Sequence, residues 1–307
     1  MIANIRYLRQ SKSFWAHVRP ISEQVGYTNR NKGTIKVPTV KDICTALKEL
    51  TLTTDHVATG ESDPTVFGQL LIDYFTYRAQ VLCQFVEPRL MDARRAEIEF
   101  NKLRRIHKPA ESEIPWNKQK GKKKKPAYLT AIVGMLIRAN SAGTSFDLDP
   151  RALTTITSHG KPLRTLARRV DGAFPSVVNP IAVWEIKEYY YTTTFGSRVA
   201  DGVYESLLDG MELEELREHE GIDVKHYLIV DAHYTWWECG KSYLCRIIDM
   251  LHMGYVDEVL FGYEVIERMP AIVKQWVSID QHRELEPKSQ GRKPAGTGAE
   301  PTPEGKI

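Results

Sequence analysis

The chain has 307 residues, of which 42% are hydrophobic and 26% charged. That balance excludes a fibrous or wholly disordered polymer, and the length suits one large domain or two smaller ones. Net charge is only +3, yet twelve Lys and Arg stand against four Asp and Glu between Arg94 and Lys125, a local excess larger than that of the whole chain.

No run approaches the roughly 20 apolar residues needed to cross a bilayer. Met1-Ile-Ala-Asn-Ile-Arg-Tyr7 also lacks the apolar segment of a secretory signal, so no membrane partner and a cytoplasmic location are expected. In chain order, Pro38-Thr39 opens a helix through Ile43, Ala46, Leu47 and Leu50. Asp63-Pro64 reads as an N-cap followed by proline at the first helical position, introducing Val66, Phe67, Leu70, Leu71, Tyr74 and Phe75 on a helix that runs to about Val86. Pro88 breaks it, and a charged helix follows through Leu90, Ala93, Ile98 and Leu103. Residues 1–117 are therefore expected to form a helical lobe. Residues 118–126, Lys-Gln-Lys-Gly-Lys-Lys-Lys-Lys-Pro, contain no apolar side chain other than proline. They suit an exposed basic loop, either a solvated linker or a polyanion contact.

Beyond the loop the pattern changes. Leu129, Ile132, Val133, Leu136 and Ile137 trace a helix face. Leu163–Ala173 and Ile181–Tyr189 have strand character and are joined by a proline-bounded connection. A helix from Phe195 to about Glu218 is expected to bury Val199, Val203, Tyr204, Leu207, Leu208 and Met211. Lys225–Asp231 reads as a buried strand, Cys239–Met253 as a helix, Val256–Phe261 as a strand and Val265–Trp276 as a helix. The alternation predicts an α/β fold, a mixed central sheet flanked by helices over residues 127–280, beside the N-terminal helical lobe. Residues 281–307, rich in Pro, Gly, Lys and Glu, are expected to be disordered. The four cysteines show no CxxC pair and are expected to be reduced core residues. Cys239, Cys245, His233 and His252 match no zinc-ligand spacing.

The chemistry concentrates at Arg168-Arg169-Val170-Asp171-Gly172, followed by Ala182-Val-Trp-Glu185-Ile186-Lys187. Side chains alternate along a strand, so Glu185 and Lys187 share one face while Trp184 and Ile186 share the other. If the preceding segment pairs with this strand, Asp171 reaches the same end of the sheet. Two carboxylates then converge beside one ammonium. Hard cations such as Mg2+, with Mn2+ as a substitute, take carboxylate oxygens together with water and substrate phosphate. The triplet Asp or Glu, any residue, Lys occurs four times, at Glu185, Asp223, Glu286 and Glu304. Only the Glu185 copy lies in an apolar strand that follows a strand-borne aspartate. The plain alternative is an edge-strand salt bridge between Glu185 and Lys187 or Arg169.

In strand-strand-helix-strand order, Val170-Asp171 with Glu185-Ile186-Lys187 resembles the PD-(D/E)XK nuclease superfamily, which includes the type II restriction endonucleases. The resemblance covers roughly residues 127–265, and Val170 stands where the family has proline. It implies a restriction-endonuclease-like fold, with Asp171, Glu185 and the backbone carbonyl of Ile186 as metal ligands and Lys187 as the catalytic lysine. The implied activity is metal-dependent hydrolysis of double-stranded DNA, in restriction or phage defence, with a homodimer left open. Two accessory features of some relatives are missing: no carboxylate lies between Leu129 and Ile137, and Ala200 stands where a glutamine would precede Tyr204. Tyr189–Thr194, Ser197 and Arg198 lie near an expected helix N-terminus that favours phosphate, although Thr194 or Ser197 could equally act as a cap. Arg169, Arg198, Ser197 and Lys122, Lys123, Lys124 and Lys125 are the candidate nucleic-acid contacts. His159 reads as a proton shuttle or an incidental loop residue, and Trp236-Trp237 as base-stacking or core. A non-catalytic DNA-binding protein on the same fold is the competing reading. An α/β small-molecule binding domain is the weakest reading, because no glycine-rich phosphate loop occurs.

Overall fold

A computed structural model describes residues 1–29, 33–60, 63–118, 120–121, 124–192 and 196–285, without the side chains of Arg198, Glu284 and Leu285. Helices α1 (Ile5–Leu8), α2 (Lys12–Val25), α3 (Val40–Glu49) and α4 (Val66–Val81) build the N-terminal part, together with two-residue ribbons β1–β2 (Thr28–Asn29, Thr34–Ile35) and β3–β4 (Ala58–Thr59, Asp63–Pro64). The expected start of α3 is realised as a capping box between Thr39 and Asp42. The start of α4 differs from expectation. Its cap is Thr65, whose hydroxyl accepts the Gly68 N–H, while Asp63 and Pro64 pair with β3. The small core of this part joins Phe14, Trp15, Val18 and Ile21 of α2 to Ile43 and Leu47 of α3 and to Leu71, Tyr74 and Phe75 of α4.

After α4 the chain winds through a π-helical turn (Leu82–Val86) and a 3-10 turn (Glu87–Arg89) containing Pro88. It is then stitched to the sheet: Tyr263 N–H donates to Arg89 O at 2.9 Å, His233 N–H to Met91 O at 2.9 Å, and Met91 N–H to Asp231 Oδ1 at 2.7 Å. Helix α5 (Ala93–His107) begins at an Asp92 cap. It buries Ala96, Phe100 and Leu103, while Ile98 is exposed. Although the sequence places these residues in the N-terminal lobe, they pack in the core beneath the main sheet.

Helix α6 (Tyr128–Asn140) is followed by a hairpin of β5 (Thr155–Ser158) and β6 (Lys161–Thr165). The expected strand Leu163–Ala173 is therefore divided. Its first residues pair with β5 in a separate ribbon, residues 166–171 are irregular, and only β7 (Gly172–Phe174) joins β8 (Ala182–Glu188), in antiparallel register. Helix α7 (Ser197–Glu220), β9 (Lys225–Asp231), α8 (Lys241–His252), β10 (Glu258–Phe261) and α9 (Glu264–Leu285) complete the chain, with a π-helical turn over Tyr234–Cys239 before α8. The main sheet has the order β10-β9-β8-β7, with β8, β9 and β10 parallel and β7 antiparallel at one edge. The protein is thus mixed α/β with a four-stranded mixed sheet.

Helices α5, α6 and α9 cover the face carrying Trp184, Tyr227, Ile229 and Leu260. Helices α7 and α8 cover the opposite face, packing against Val183, Leu228, Val230 and Phe261. Val199 and Val203 of α7 are buried as expected, but Tyr204, Leu208 and Met211 are exposed, because Leu213 and Leu216 carry the packing along the rest of the helix. Cys83 and Cys239 are exposed, contrary to the core assignment, whereas Cys44 and Cys245 are buried; all four are free thiols. Among the described residues no helix is long and apolar enough to cross a membrane. Helix α9 extends to Leu285, past the expected start of the tail, and residues 286–307 lie outside the described set.

The indole of Trp184 stacks on that of Trp276 at 5.5 Å and lies against Gly172. A Cβ at Gly172 would come within 2.0 Å of the Trp184 ring. Glycine after Asp171 is thus a packing requirement between β7 and β8. Gly172→Ala should lower the unfolding free energy by about 3 kcal/mol, the upper end for overpacking, as read from urea titration. An unchanged midpoint would show that the strand pair can shift to make room.

At the C-terminal ends of β8 and β9, two carboxylates occupy paired positions, half-buried Glu188 and fully buried Asp231. Glu188 supplies the cap that α6 lacks, accepting the Thr130 N–H at 3.1 Å and its hydroxyl at 3.0 Å. Burial pushes Asp231 up to about 8, helped by the charge of Glu188 and opposed by donors from Tyr190, Met91 and Ala232. With its folded value raised, Asp231 holds a proton between about pH 4 and 8 that the unfolded chain has released, so stability falls as pH rises through that window. Asp231→Asn should flatten the decline by on the order of a few kcal/mol, seen as a smaller difference between melts at pH 5 and pH 9. An unaltered difference would remove Asp231 as its source.

Candidate functional site

The site grows out of β8. Because residues alternate, Glu185 and Lys187 face α7 while Trp184 and Ile186 face α6 and α9. Strand β7 begins at Gly172, so past Trp184 the backbone of β8 meets Asp171, the residue before β7, in place of a ladder partner. Asp171 N–H donates to Trp184 O and to Glu185 Oε1, both at 3.1 Å, and Ile186 N–H donates to Asp171 Oδ2 at 2.8 Å. The N–H and C=O of one strand residue leave the strand on the same side. The Ile186 carbonyl therefore opens on the edge where Asp171 stands.

Glu185 is fully buried. Its Oε1 stands 2.8 Å from Arg168 Nη1 in an ion pair, and its Oε2 accepts from Arg168 Nη2 at 3.1 Å and Lys187 Nζ at 2.8 Å. Arg168 comes from the irregular segment before β7 and reaches α7 as well, with Asp209 Oδ2 at 2.6 Å and Glu205 Oε2 at 3.3 Å. Lys187 shares Glu205 Oε2 at 3.1 Å. Helix α7 can lie this close because residue 202 is glycine: a Cβ there would stand 3.1 Å from Lys187 Cδ.

Four carboxylates thus surround two cations, and the surplus negative charge appears in their proton affinities. Crowding by protein on its inner side, then the charge of Glu185, pushes Asp171 up to about 6, although the residue as a whole is exposed. Burial, with the charge of Glu185, pushes Asp209 up to about 7 in spite of Arg168. Burial would also raise Glu185, but Lys187 and Arg168 overcome it and hold that carboxyl below its usual range. Lys187 loses solvent and would fall, yet Glu185, Asp171 and Glu205 raise it, so it stays an ammonium.

Asp171, Glu185 and Lys187 are therefore together, as the strand pattern requires. The guanidinium at the site is Arg168; Arg169, the alternative salt-bridge partner, points to solvent and is exposed. Ser197 is the exposed first residue of α7, capped by Gly196 without a side-chain bond. The side chain of Arg198, and Lys122, Lys123 and Thr194, lie outside the described residues. Lys124 and Lys125 are exposed on a loop closed by a Trp116–Pro126 bridge, with Lys124 Nζ 5.8 Å from the centre of the exposed Trp116 ring. His159 sits with Gly160 at positive φ in the tight β5–β6 turn, and Trp236 and Trp237 are buried. Sequence reasoning missed Glu205 and Asp209. Their spacing of one helical turn was the available signal, but nothing in the letters tells which face of α7 meets the sheet.

Among the described residues no three His, Cys, Asp or Glu side chains form a group ready to hold a metal ion. A smaller set of oxygens has the chemistry that a hard cation takes. Asp171 Oδ1 has no donor among the described residues, and the Ile186 carbonyl opens on the same edge. Glu185 would belong to the same set, but both of its oxygens are held by Arg168 and Lys187.

The fold and site define a mixed α/β protein with a buried acid–base cluster at the antiparallel edge of its sheet. Residues 91–276 match the model of a domain of unknown function, DUF7687, and residues 1–85 match that of a second, DUF7690. The chain belongs to the DUF7687 family, whose match covers more than half of it and all six residues of the cluster. No curated protein and no solved structure matches the chain.

Proposed function

We propose that the chain is a metal-dependent deoxyribonuclease of the PD-(D/E)XK type, cutting double-stranded DNA in the cytoplasm in a restriction or phage-defence role. The observation that carries this reading is the meeting of Asp171, Glu185 and Lys187 at the end of an antiparallel strand pair, with an unpartnered carboxylate oxygen and a backbone carbonyl on one edge. Asp171, Glu185 and the Ile186 carbonyl would hold Mg2+ or Mn2+, which when bound would stabilise charge on the scissile phosphate and help ionise a water. Lys187 stays charged beside Glu185 and can orient that water or balance phosphate charge. Lys124, Lys125 and the exposed Trp116 suit a nucleic-acid backbone and base, with Lys122, Lys123, Arg169, Ser197 and Arg198 as further candidate contacts.

A second reading, a DNA-binding protein without chemistry, has its own support: both Glu185 oxygens are already occupied by Arg168 and Lys187. One experiment separates the two. The purified chain is incubated with plasmid, phage and modified DNA in Mg2+, Mn2+ or EDTA, and the ends are mapped. Cleavage in metal and none in EDTA supports the nuclease; salt-sensitive binding with intact DNA under every condition rejects it.

A further inference from the structure

We infer that Arg168 is a resident counter-cation that competes with a divalent ion for Glu185, and that Asp209 and Glu205 on α7 form the seat to which its guanidinium withdraws. The inference rests on the reading of Asp171 and Glu185 as metal ligands.

Three observations carry it. The guanidinium meets both oxygens of Glu185, Nη2 donating to Oε2 at 3.1 Å and Nη1 standing 2.8 Å from Oε1, so it fills the side of the carboxylate that an incoming cation would need. The residue lies on the irregular segment between β6 and β7, with its side chain partly solvent-exposed, whereas Lys187 is fixed on β8 against Gly202. Finally, a second place is prepared for it. Asp209 is buried, its Oδ2 already lies 2.6 Å from Arg168, and its Oδ1 is enclosed with no hydrogen-bond partner. A guanidinium turned toward α7 would grip both Asp209 oxygens while staying close to Glu205, 3.3 Å away. The exchange leaves no charge unpaired: the metal would neutralise Asp171 and Glu185, while Arg168 and Lys187 together neutralise Asp209 and Glu205. Arg168 and Lys187 already share Glu185, so a divalent ion arriving there meets the repulsion of both, and of the two Arg168 is the one with a second carboxylate seat on α7. Metal affinity is therefore set by this competition.

The test measures Mn2+ binding to the full chain without DNA, by the electron paramagnetic resonance of free Mn2+. Arg168→Lys keeps the charge but cannot grip two carboxylates through paired forks, and should bind Mn2+ several-fold more tightly than the natural chain. Arg168→Gln combined with Asp209→Asn leaves the net charge unchanged and should bind about tenfold more tightly. A merely structural arginine would give weaker binding in both. Circular dichroism and melting check folding; should the double variant not fold, Arg168→Lys alone decides. Unchanged or weaker Mn2+ binding by a folded Arg168→Lys overturns the inference, as does an absence of Mn2+ binding by every form. Tighter Mn2+ binding in a chain that leaves DNA intact keeps the inference and rejects the nuclease. Normal cutting with unchanged affinity does the reverse.

Discussion

Asp171→Asn is expected to slow Mg2+-dependent DNA cleavage by about a thousandfold or more, some 4 kcal/mol of transition-state stabilisation. Asparagine has nearly the same shape and can still accept the Ile186 N–H that Asp171 Oδ2 now takes at 2.8 Å. What it removes is the charge and the free Oδ1, so the loss falls on metal-dependent chemistry more than on folding. Lys187→Ala should cost a comparable factor, because the ammonium lies 2.8 Å from Glu185 and 3.1 Å from Glu205 on the face where water and phosphate would meet the metal. Lys187→Arg should not rescue it, since a planar guanidinium fork does not replace a compact point charge placed 2.8 Å from Glu185. The effects of the two single changes should not add when combined, because both residues serve one reaction centre. Wild-type cleavage by folded Asp171→Asn or Lys187→Ala would refute the assignment.

The largest expected loss of stability lies elsewhere, where the N-terminal part meets the sheet. Arg78 of α4 is buried and donates to both oxygens of Asp249 on α8, at 3.0 and 2.9 Å. Tyr74 donates to the same carboxylate at 2.5 Å, and Ser22 accepts from Arg78 at 3.2 Å. Burial works against the charge on Arg78, but Asp249 outweighs it and raises the guanidinium's affinity for its proton. Arg78→Met would leave Asp249 buried and uncompensated, at a cost of about 3–5 kcal/mol by denaturant unfolding. Arg78→Met with Asp249→Leu should recover most of this, because a buried ion pair contributes little over well-packed apolar groups. Losses below about 1 kcal/mol for the single change would mean that solvent reaches the pair.

Where a segment's own pattern decided its structure, the sequence was enough. Thr39 with Asp42 specified the start of α3, and the apolar run Lys225–Asp231 became β9 with the same limits. Glu185 and Lys187 shared a face because strand geometry allows nothing else. Pairing across space was harder to read. Leu163–Thr165 looks like the beginning of the strand that ends at Phe174, but its partner is β5, and the chain between them turns to carry Arg168 inward and Arg169 outward. Nothing local separates those two arginines. Helix α5 has an apolar stripe that would fit either core, and only the tertiary structure sends Phe100 and Leu103 beneath the sheet. Asp209 is one of many acidic residues on α7, and its significance comes entirely from the arginine three elements earlier in the chain.

The stitched segment from Arg89 to Met91 bears on how such a chain could be rearranged. Between the regions matched by the two family models the backbone is not a spacer; a side-chain carbon on Gly262 would collide with Arg89 O at 2.1 Å. Exchanging the first 85 residues for another module would therefore take more than a compatible linker. The newcomer would have to deliver a cation to Asp249 and lead the chain along the same path past Gly262. The two regions are separable as patterns of letters, but as matter they are cut to fit one another.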